Sequence, residues 1–389
     1  MTTPTALYLD HAATAPLAPG VFEAMQHALV ETEANPASSH APGRVAAAQI
    51  DAAARSLAAL IGAAPESIVW TSGATESINL ALKGVAEFAG GAPHIVSVVT
   101  EHRATLDVLT WLEKHGARVT RLGVDGDGRL DLDALAAAIA DDTALVSVMH
   151  VNNETGVIQD IAAIGALCAA RGVALHVDAA QSLGRLAIDV EAMNIALLSM
   201  SAHKIGGPKG IGALYVRRRP RVGLAAQIQG GGQQGGYRSG TLATHQIAGF
   251  GAAAVHVSAT REVEQTRLHD LRERLWARAA RLEGVIRNGL PQTTAAAFLS
   301  VSVQAVHGDA LLLGLTEGAP ALAVSSGAAC SAAKGQSSYV LRAMGRSPRE
   351  AGASIRFSLG ADTDAAVIDA AAERFVAEVT RLRALAAAA

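Results

Sequence analysis

Apolar and polar positions alternate along this chain in the manner of an α/β protein. Short apolar runs with the composition of buried strands are separated by segments with helical periodicity. The runs predict strands at residues 68–70, 95–99, 145–149, 173–177 and 195–198. Because strands that alternate with helices of this length are joined by right-handed crossovers, we expect a mostly parallel sheet.

The pattern changes near residue 258. Residues 259–281 intersperse Arg, Glu and Leu as a long charged helix does, and the remainder adds strand-like segments at 298–303 and 355–359. We therefore predict a large domain of residues 15–257 and a smaller α+β domain of residues 1–14 and 258–389, with the long helix as the connector.

Composition and charge restrict the class of protein. Of the 389 residues, 50% are hydrophobic and 17% are charged, which is typical of a globular chain with a large core. The formal net charge of −3 gives no reason to expect nucleic acid or an acidic membrane as a partner. No membrane-length apolar run or signal-peptide pattern occurs, and the two cysteines suggest neither a disulfide framework nor a metal site. We predict a soluble cytoplasmic protein.

Two strand ends carry the most informative side chains. Lys204 lies where the strand predicted at 195–198 gives way to a glycine-rich turn, and Asp178 follows the strand predicted at 173–177. Ligands of open α/β sheets collect at the carboxyl ends of strands, where a desolvated lysine can act as a nucleophile. This pair suits pyridoxal phosphate (PLP), which needs a lysine for its Schiff base and an acid beside its pyridinium nitrogen.

Other predicted strand ends carry residues that suit the same cofactor. Residues 72–75 form a strand-to-helix turn whose N–H groups and hydroxyls can bind phosphate, although for the turn taken alone an ordinary N-cap is the commoner explanation. His102 can stack on a ring and exchange protons, and Asn153 and Gln181 carry amides that suit a phenolic oxygen. Each residue alone has an ordinary structural explanation. Together, the five consecutive strand ends predict one PLP site.

Cys330 and Arg356 are candidates from the second domain. Cys330 lies in a run of small residues that suits neither a strand nor a stable helix, with Lys334 nearby to favour a thiolate nucleophile. The alternative is a small buried residue, which is how we interpret Cys168 inside an apolar helix. Arg356, in a strand-like segment, can hold a substrate carboxylate with two hydrogen bonds.

The chain resembles the cysteine desulfurases of the NifS/IscS type, within the class V aminotransferase family, from about Tyr8 to Leu385. The motifs that carry the resemblance, in chain order, are Ser-Gly-Ala-Thr-Glu-Ser, Thr-Glu-His, His-Val-Asn-Asn-Glu-Thr-Gly, His-Val-Asp-Ala-Ala-Gln-Ser, Ser-Ala-His-Lys-Ile-Gly-Gly-Pro-Lys-Gly, Arg-Ser-Gly-Thr, Ser-Ser-Gly-Ala-Ala-Cys and Ser-Ile-Arg-Phe-Ser-Leu-Gly. The resemblance implies PLP-dependent transferase fold type I, with a mostly parallel seven-stranded sheet, and a homodimer with both active sites at the subunit interface.

The resemblance also implies a role for each motif residue. Lys204 holds PLP, Asp178 pairs with the ring nitrogen, Gln181 contacts the phenolic oxygen and His102 stacks on the ring. Cys330 accepts the sulfur. The phosphate is held by Ala74, Thr75, Ser201 and His203, with Thr241 from the other subunit. The substrate carboxylate is held by Arg356 and Asn153, and Asn153 also lies beside the cofactor.

The activity implied is conversion of L-cysteine to L-alanine, with the sulfur passing to Cys330 as a persulfide. From there it would be delivered to acceptor proteins of iron–sulfur cluster assembly, thio-cofactor synthesis or tRNA thiolation. Enzymes of the IscS type dock their scaffold protein through a longer C-terminal extension, so we do not expect docking of that kind here. The alternatives are a selenocysteine lyase, another PLP enzyme of this fold and a non-enzymatic binding protein; Cys330 argues against a transaminase, which needs no loop cysteine.

Overall fold

A central sheet organises the structure, a computed structural model that describes residues 6–32, 34–326 and 337–388. The strands are β1 (Leu7–Tyr8), β2 (Ile68–Thr71), β3 (His94–Val98), β4 (Arg118–Leu122), β5 (Thr143–Met149), β6 (Ala174–Asp178), β7 (Leu197–Ser201), β8 (Gly212–Val216), β9 (Val285–Arg287), β10 (Phe298–Val303), β11 (Leu322–Ala323) and β12 (Ser354–Ser358). The helices span Val21–Val30, Ala41–Leu60, Ala74–Ala89, Arg103–Lys114, Leu132–Ala138, Ile161–Ala170, Thr244–Ala279, Gly308–Glu317, Tyr339–Ala343, Pro348–Gly352 and Ala365–Ala388.

The central sheet has seven strands in the order β2-β8-β7-β6-β5-β3-β4. Strands β4, β3, β5, β6 and β7 pair in parallel, whereas β8 is antiparallel to both of its neighbours. The prediction of a mostly parallel seven-stranded sheet is therefore confirmed. Because β2 runs in the same direction as β3, β5, β6 and β7, the carboxyl ends of these five strands meet at one edge.

Helices cover both faces of this sheet, which explains why its inner strands read as continuous apolar runs. On one face, Ile78 and Leu82 of the helix Ala74–Ala89 pack with Leu109 and Leu112 of the next helix. On the other face, helices Ala41–Leu60 and Ile161–Ala170 pack with the first half of the helix Thr244–Ala279. Strands and helix starts at the carboxyl edge are thus held on a rigid core.

A second core lies around the antiparallel sheet β12-β10-β9. The helix Thr244–Ala279 contributes Phe250 to the first core and Leu271 and Leu275 to the second. It begins 15 residues before the helix predicted from residue 259, because small and apolar residues such as Gly249 and Gly251 allow close packing on Met25 and Ala53. The division into domains at residues 257 and 258 stays a prediction, since this helix crosses it without interruption.

Two strands of the central sheet are absent from the sequence-based prediction. β4 is an edge strand with two arginines, so its apolar pattern is weak. β8 follows the glycine-rich turn directly and begins at Gly212. In the described ranges, no helix combines the length and the apolar content that a membrane crossing requires. Within the same ranges, no cluster of three or more His, Cys, Asp or Glu is placed to hold a metal ion.

Candidate active site

A cavity of about 690 Å³ opens at the carboxyl edge of the central sheet. Its walls come from the segments that follow β2, β3, β5, β6 and β7, together with residues 12–14 near the N-terminus and with Arg356 of β12. Ten of the twelve residues predicted from the sequence line it: Ala74, Thr75, His102, Asn153, Asp178, Gln181, Ser201, His203, Lys204 and Arg356. The structure therefore brings together in one cavity residues that lie up to 282 positions apart in the chain.

Lys204 lies at the end of the single 3₁₀ turn that follows β7. Its Nζ donates hydrogen bonds to the carbonyl oxygens of Ala12 and Ala13, at 2.7 and 2.8 Å. Burial, together with the nearby positive charges of Arg185 and Arg356, lowers the pKa of Lys204 to about 8. An amine with such a pKa is partly neutral near pH 7, which a nucleophile or a proton acceptor requires.

Asp178 and His102 are two further titratable groups that line the cavity. Asp178 ends β6 and accepts a hydrogen bond from the backbone N–H of Ala180 at 2.9 Å. Burial raises the pKa of Asp178, and a carboxylate this deeply buried requires a cation beside it to stay ionised. His102 caps the helix Arg103–Lys114, with Nδ1 accepting from the N–H of Ala104 at 3.1 Å. Burial lowers its pKa, so its ring is neutral near pH 7.

The start of the helix Ala74–Ala89 also forms part of the cavity wall. Its N-cap, Gly73, provides no side-chain hydrogen bond, and Ala74 and Thr75 line the cavity with the first N–H groups of the helix. The turn rests directly on β8, because a Cβ on Gly212 would lie 2.5 Å from Gly73 Cα. The N-terminus of this helix is thereby held against the sheet, where its dipole and free N–H groups favour an anion.

Ser201 and His203 line the cavity from the segment that directly precedes Lys204. Ser201 is buried at the end of β7, and His203 Nδ1 lies 3.3 Å from Thr14 Oγ1. Burial lowers the pKa of His203 to about 4, with the charge of Lys204 adding to the effect. His203 is therefore a neutral hydrogen-bonding group near pH 7.

Arg356 of β12 is the residue of the second core that lines the cavity with a guanidinium. Its Nη1 donates to the backbone oxygen of Asn153 and its Nη2 to Asp10 Oδ1, both at 2.6 Å. Among the described residues, neither Arg356 Nε nor Asn153 Oδ1 has a hydrogen-bond partner, and both atoms are buried. The remaining donors of this guanidinium can bind the carboxylate of a ligand, and the unpaired amide oxygen of Asn153 can accept a hydrogen bond from an amine of the same ligand.

Sequence reasoning missed several residues around this site. Arg185 Nη1 donates to both the backbone oxygen and Oε1 of Gln181, at 2.9 and 3.0 Å, and so fixes that amide. Glu154 lines the cavity, accepts a hydrogen bond from Ser338 at 2.5 Å, and has its pKa raised to about 7 by burial. Glu154 lies inside the motif His-Val-Asn-Asn-Glu-Thr-Gly, just after the end of β5, and that position was a usable signal.

Two predicted site residues do not lie in the described cavity. Thr241 is exposed and lines a separate cavity of about 280 Å³, beside Asn35 and Gln233. Thr241 was predicted to contact the phosphate in the active site of the other subunit. Because the structure contains one chain, this role stays a prediction. Cys330 lies outside the described residues, which end at Ser326 and resume at Ser337.

Comparison with known proteins identifies the family. The model of the family Aminotransferase class-V matches residues 7–370. The chain belongs to this family. The IscS cysteine desulfurase of Proteus mirabilis (strain HI4320) is 50% identical over 381 residues, which cover 97% of this chain and 93% of that protein. The class V aminotransferase resemblance inferred from the motifs is therefore confirmed.

Solved structures of class V aminotransferase relatives have the same fold. A NifS-like protein superposes with a TM-score of 0.90 at 31% identity, covering 97% of this chain and 100% of its own. SspA in complex with cysteine superposes with a TM-score of 0.80 at 35% identity, covering 91% of this chain and 99% of its own. The prediction of PLP-dependent transferase fold type I is confirmed, and so is PLP as the cofactor on which this family depends.

The side chains of the cavity fit PLP. The helix start at Ala74 would provide the anion site for its phosphate, and the buried carboxylate of Asp178 would provide the counter-charge for a protonated ring nitrogen. Lys204 would supply an amine of lowered pKa in the same cavity. Once bound, PLP supplies an electron sink that acidifies the Cα–H bond of an amino acid.

Proposed function

We propose that this class V aminotransferase is a cysteine desulfurase, which converts L-cysteine to L-alanine and passes the sulfur to Cys330 as a persulfide. The proposal is supported by the relatives of about 50% identity that are named cysteine desulfurase. The observation that carries it is the placement of the Lys204 amine and the Arg356 guanidinium in one cavity. An α-amino acid presents the carboxylate that Arg356 suits.

Lys204 and His102 move the protons in this proposal. The lowered pKa of Lys204 lets its amine take the Cα proton of the substrate near neutral pH and return a proton to the carbon that becomes alanine. His102, neutral because burial lowers its pKa, can exchange a proton with the substrate thiol or amine. Arg356 and Asn153 hold the carboxylate and so orient the Cα–H bond.

Cys330 takes the sulfur. Its thiolate attacks the sulfur of the substrate, an S–S bond forms, and the Cβ–S bond breaks with its electron pair left on the substrate carbon. Protonation of that carbon yields alanine, and Cys330 carries the persulfide. A thiolate of an acceptor protein then attacks the outer sulfur and releases Cys330. We place this chemistry in the cytoplasm, where such thiols are kept reduced.

A homodimer belongs to the same proposal. Leu17, Phe22, Leu29, Val30 and Val45 expose 49, 60, 54, 71 and 52% of their surface, on the first two helices and the segment before them. A soluble monomer rarely leaves apolar groups of this size together in water, and a second copy of the chain would cover them. Thr241 would then contact the phosphate in the active site of the partner.

The two cysteines provide a matched test of the proposed reaction. We expect Cys330→Ser to keep the yellow colour of the bound cofactor and to lose alanine formation from cysteine by at least about a hundredfold, because it removes the nucleophile. Cys168→Ala is the control, since Cys168 is buried in a helix away from the cavity and burial raises its pKa to about 12. Undiminished alanine formation by Cys330→Ser contradicts the proposal.

The choice of substrate separates the proposed activity from its alternatives. Cysteine and selenocysteine are compared with an amino acid supplied together with a keto acid. A cysteine desulfurase releases alanine from cysteine and depends on Cys330. A selenocysteine lyase prefers the selenium substrate, and a transaminase consumes the keto acid and is indifferent to Cys330.

A further inference from the structure

Asp10 contacts Arg356, which lines the cavity, and neither the motifs nor the cofactor assign Asp10 a role. Its carboxylate contacts Arg356 Nη2 at 2.6 Å, and the side chains of Arg356 and Asp10 expose only 6 and 19% of their surface. A guanidinium this deeply buried needs a fixed counter-charge, since an unpaired buried charge is costly. Asp10 provides that counter-charge from a part of the chain 346 residues away.

Asp10 is itself held from two sides. Ser325 Oγ donates to both of its carboxylate oxygens at 3.1 Å. Its backbone forms a parallel bridge with Ser358, two residues beyond Arg356 on the same strand. Ser325 in turn forms an antiparallel bridge with Arg356, through backbone hydrogen bonds of 3.3 and 2.8 Å. The carboxylate therefore has little freedom to follow a moving guanidinium.

The consequence is a fixed orientation of Arg356. Of the five donors on a guanidinium, Asp10 takes one on Nη2 and the backbone oxygen of Asn153 takes one on Nη1. Nε has no partner among the described residues, although it is buried and its side chain lines the cavity. Because the guanidinium is planar, the hydrogen bonds of Nη1 and Nη2 determine the directions of its remaining donors.

We propose that Asp10 is a positioning residue, which orients Arg356 to receive the carboxylate of the substrate and so makes binding depend on that carboxylate. The inference rests on the proposed function, because it takes an α-amino acid as the ligand of Arg356. Asp10 contacts Arg356 and no reacting atom, and its charge also opposes the lowering of the Lys204 pKa. Its effect therefore belongs to substrate binding more than to the chemical step.

The test compares L-alanine with ethylamine, which is alanine without its carboxylate. Each is titrated into the holoenzyme while the visible absorbance of the bound cofactor is followed. We expect Asp10→Asn, which keeps the shape of the side chain but removes its charge, to weaken alanine binding by about 10- to 100-fold and to change ethylamine binding much less, because only alanine carries the carboxylate. The KM for cysteine should rise by a similar factor, while kcat changes less than about threefold.

Two further variants complete the design. Ser325→Ala removes the hydroxyl that holds the Asp10 carboxylate and keeps the backbone bridge to Arg356. We expect it to weaken alanine binding by a smaller factor than Asp10→Asn does. This variant also tests the proposal if Asp10→Asn does not fold. Asp362→Asn is the matched control, because Asp362 pairs with His11 at 2.6 Å and does not line the active-site cavity. It should leave the affinities for both ligands unchanged.

The proposal is overturned if Asp10→Asn binds alanine as tightly as the parent chain, or more tightly, as it would if Asp10 competed with the substrate. It is also overturned if alanine and ethylamine lose affinity equally, which is the result of a merely structural role. A parent chain that binds alanine but releases none from cysteine contradicts the proposed function alone, since the absorbance titration still tests Asp10.

Discussion

Lys204 Nζ donates a hydrogen bond to the carbonyl oxygen of Ala12 at 2.7 Å, across 192 residues of sequence. A carbonyl is a neutral acceptor, and among the described residues no carboxylate lies within ion-pair distance of Lys204. The amine thus has no ion-pair partner among the described residues, and burial with the positive charges of Arg185 and Arg356 outweighs the negative charges of Asp10 and Asp178. This environment explains why its pKa falls to about 8.

The first prediction concerns the attachment of the cofactor. Lys204→Ala should abolish the visible absorbance of bound PLP, because it removes the amine of lowered pKa that lines the cavity. The matched control is Lys209→Ala, since Lys209 also lines the cavity but is exposed. It should keep the absorbance. Persistence of the absorbance in Lys204→Ala, measured after gel filtration, would show that another lysine holds the cofactor.

The second prediction concerns the phosphate site. Gly212→Ala places a Cβ 2.5 Å from Gly73 Cα and 2.6 Å from the carbonyl oxygen of Met200, so the start of the helix Ala74–Ala89 must move away from the sheet. We expect PLP affinity to fall by about 10- to 100-fold, in line with the usual cost of overpacking of about 1 to 3 kcal/mol. Cofactor titration of the PLP-free variant measures this.

Gly123→Ala is the control for that substitution, because a Cβ on Gly123 meets no atom within 4 Å. Its PLP affinity and thermal unfolding should match those of the parent chain. An unchanged PLP affinity in a well-folded Gly212→Ala variant would mean that the close approach of Gly73 to β8 is not needed for phosphate binding.

The third prediction concerns Glu154 and pH. Burial raises the pKa of this carboxyl from 4.5 to about 7 in the folded protein, so the folded state binds a proton that the unfolded state has lost between these values. The free energy of unfolding should therefore decrease as pH rises from 4.5 through 7, by about 3 kcal/mol from this residue. Glu154→Gln, which cannot ionise, should lack this contribution.

Urea unfolding at pH 5 and pH 8 measures the effect. The decrease between the two pH values should be smaller in Glu154→Gln than in the parent chain, and Glu283→Gln, a change at an exposed position, should behave as the parent does. Equal decreases in all three proteins would show that Glu154 is ionised at both pH values and that its burial is compensated by another group.

Part of the site could be predicted from the sequence because local pattern determines where strands end. Lys204 and Asp178 each follow or end an apolar run, and parallel strands of an α/β sheet present their carboxyl ends at one edge. His102, Asn153 and Gln181 follow the same rule. Their meeting in one cavity was therefore a consequence of the strand pattern and of parallel pairing alone.

The sequence by itself determined the alternation of strands and helices, the edge at which ligands bind and the residue types present there. Only the tertiary structure decided the partners of those residues: Asp10 for Arg356, Ala12 for Lys204, and Gly73 against Gly212. These pairs join segments from opposite ends of the chain or from different strands, and no local periodicity encodes them. The pKa of Lys204 and the orientation of Arg356 follow from such long-range contacts, because burial and neighbouring charge exist only after the chain has folded.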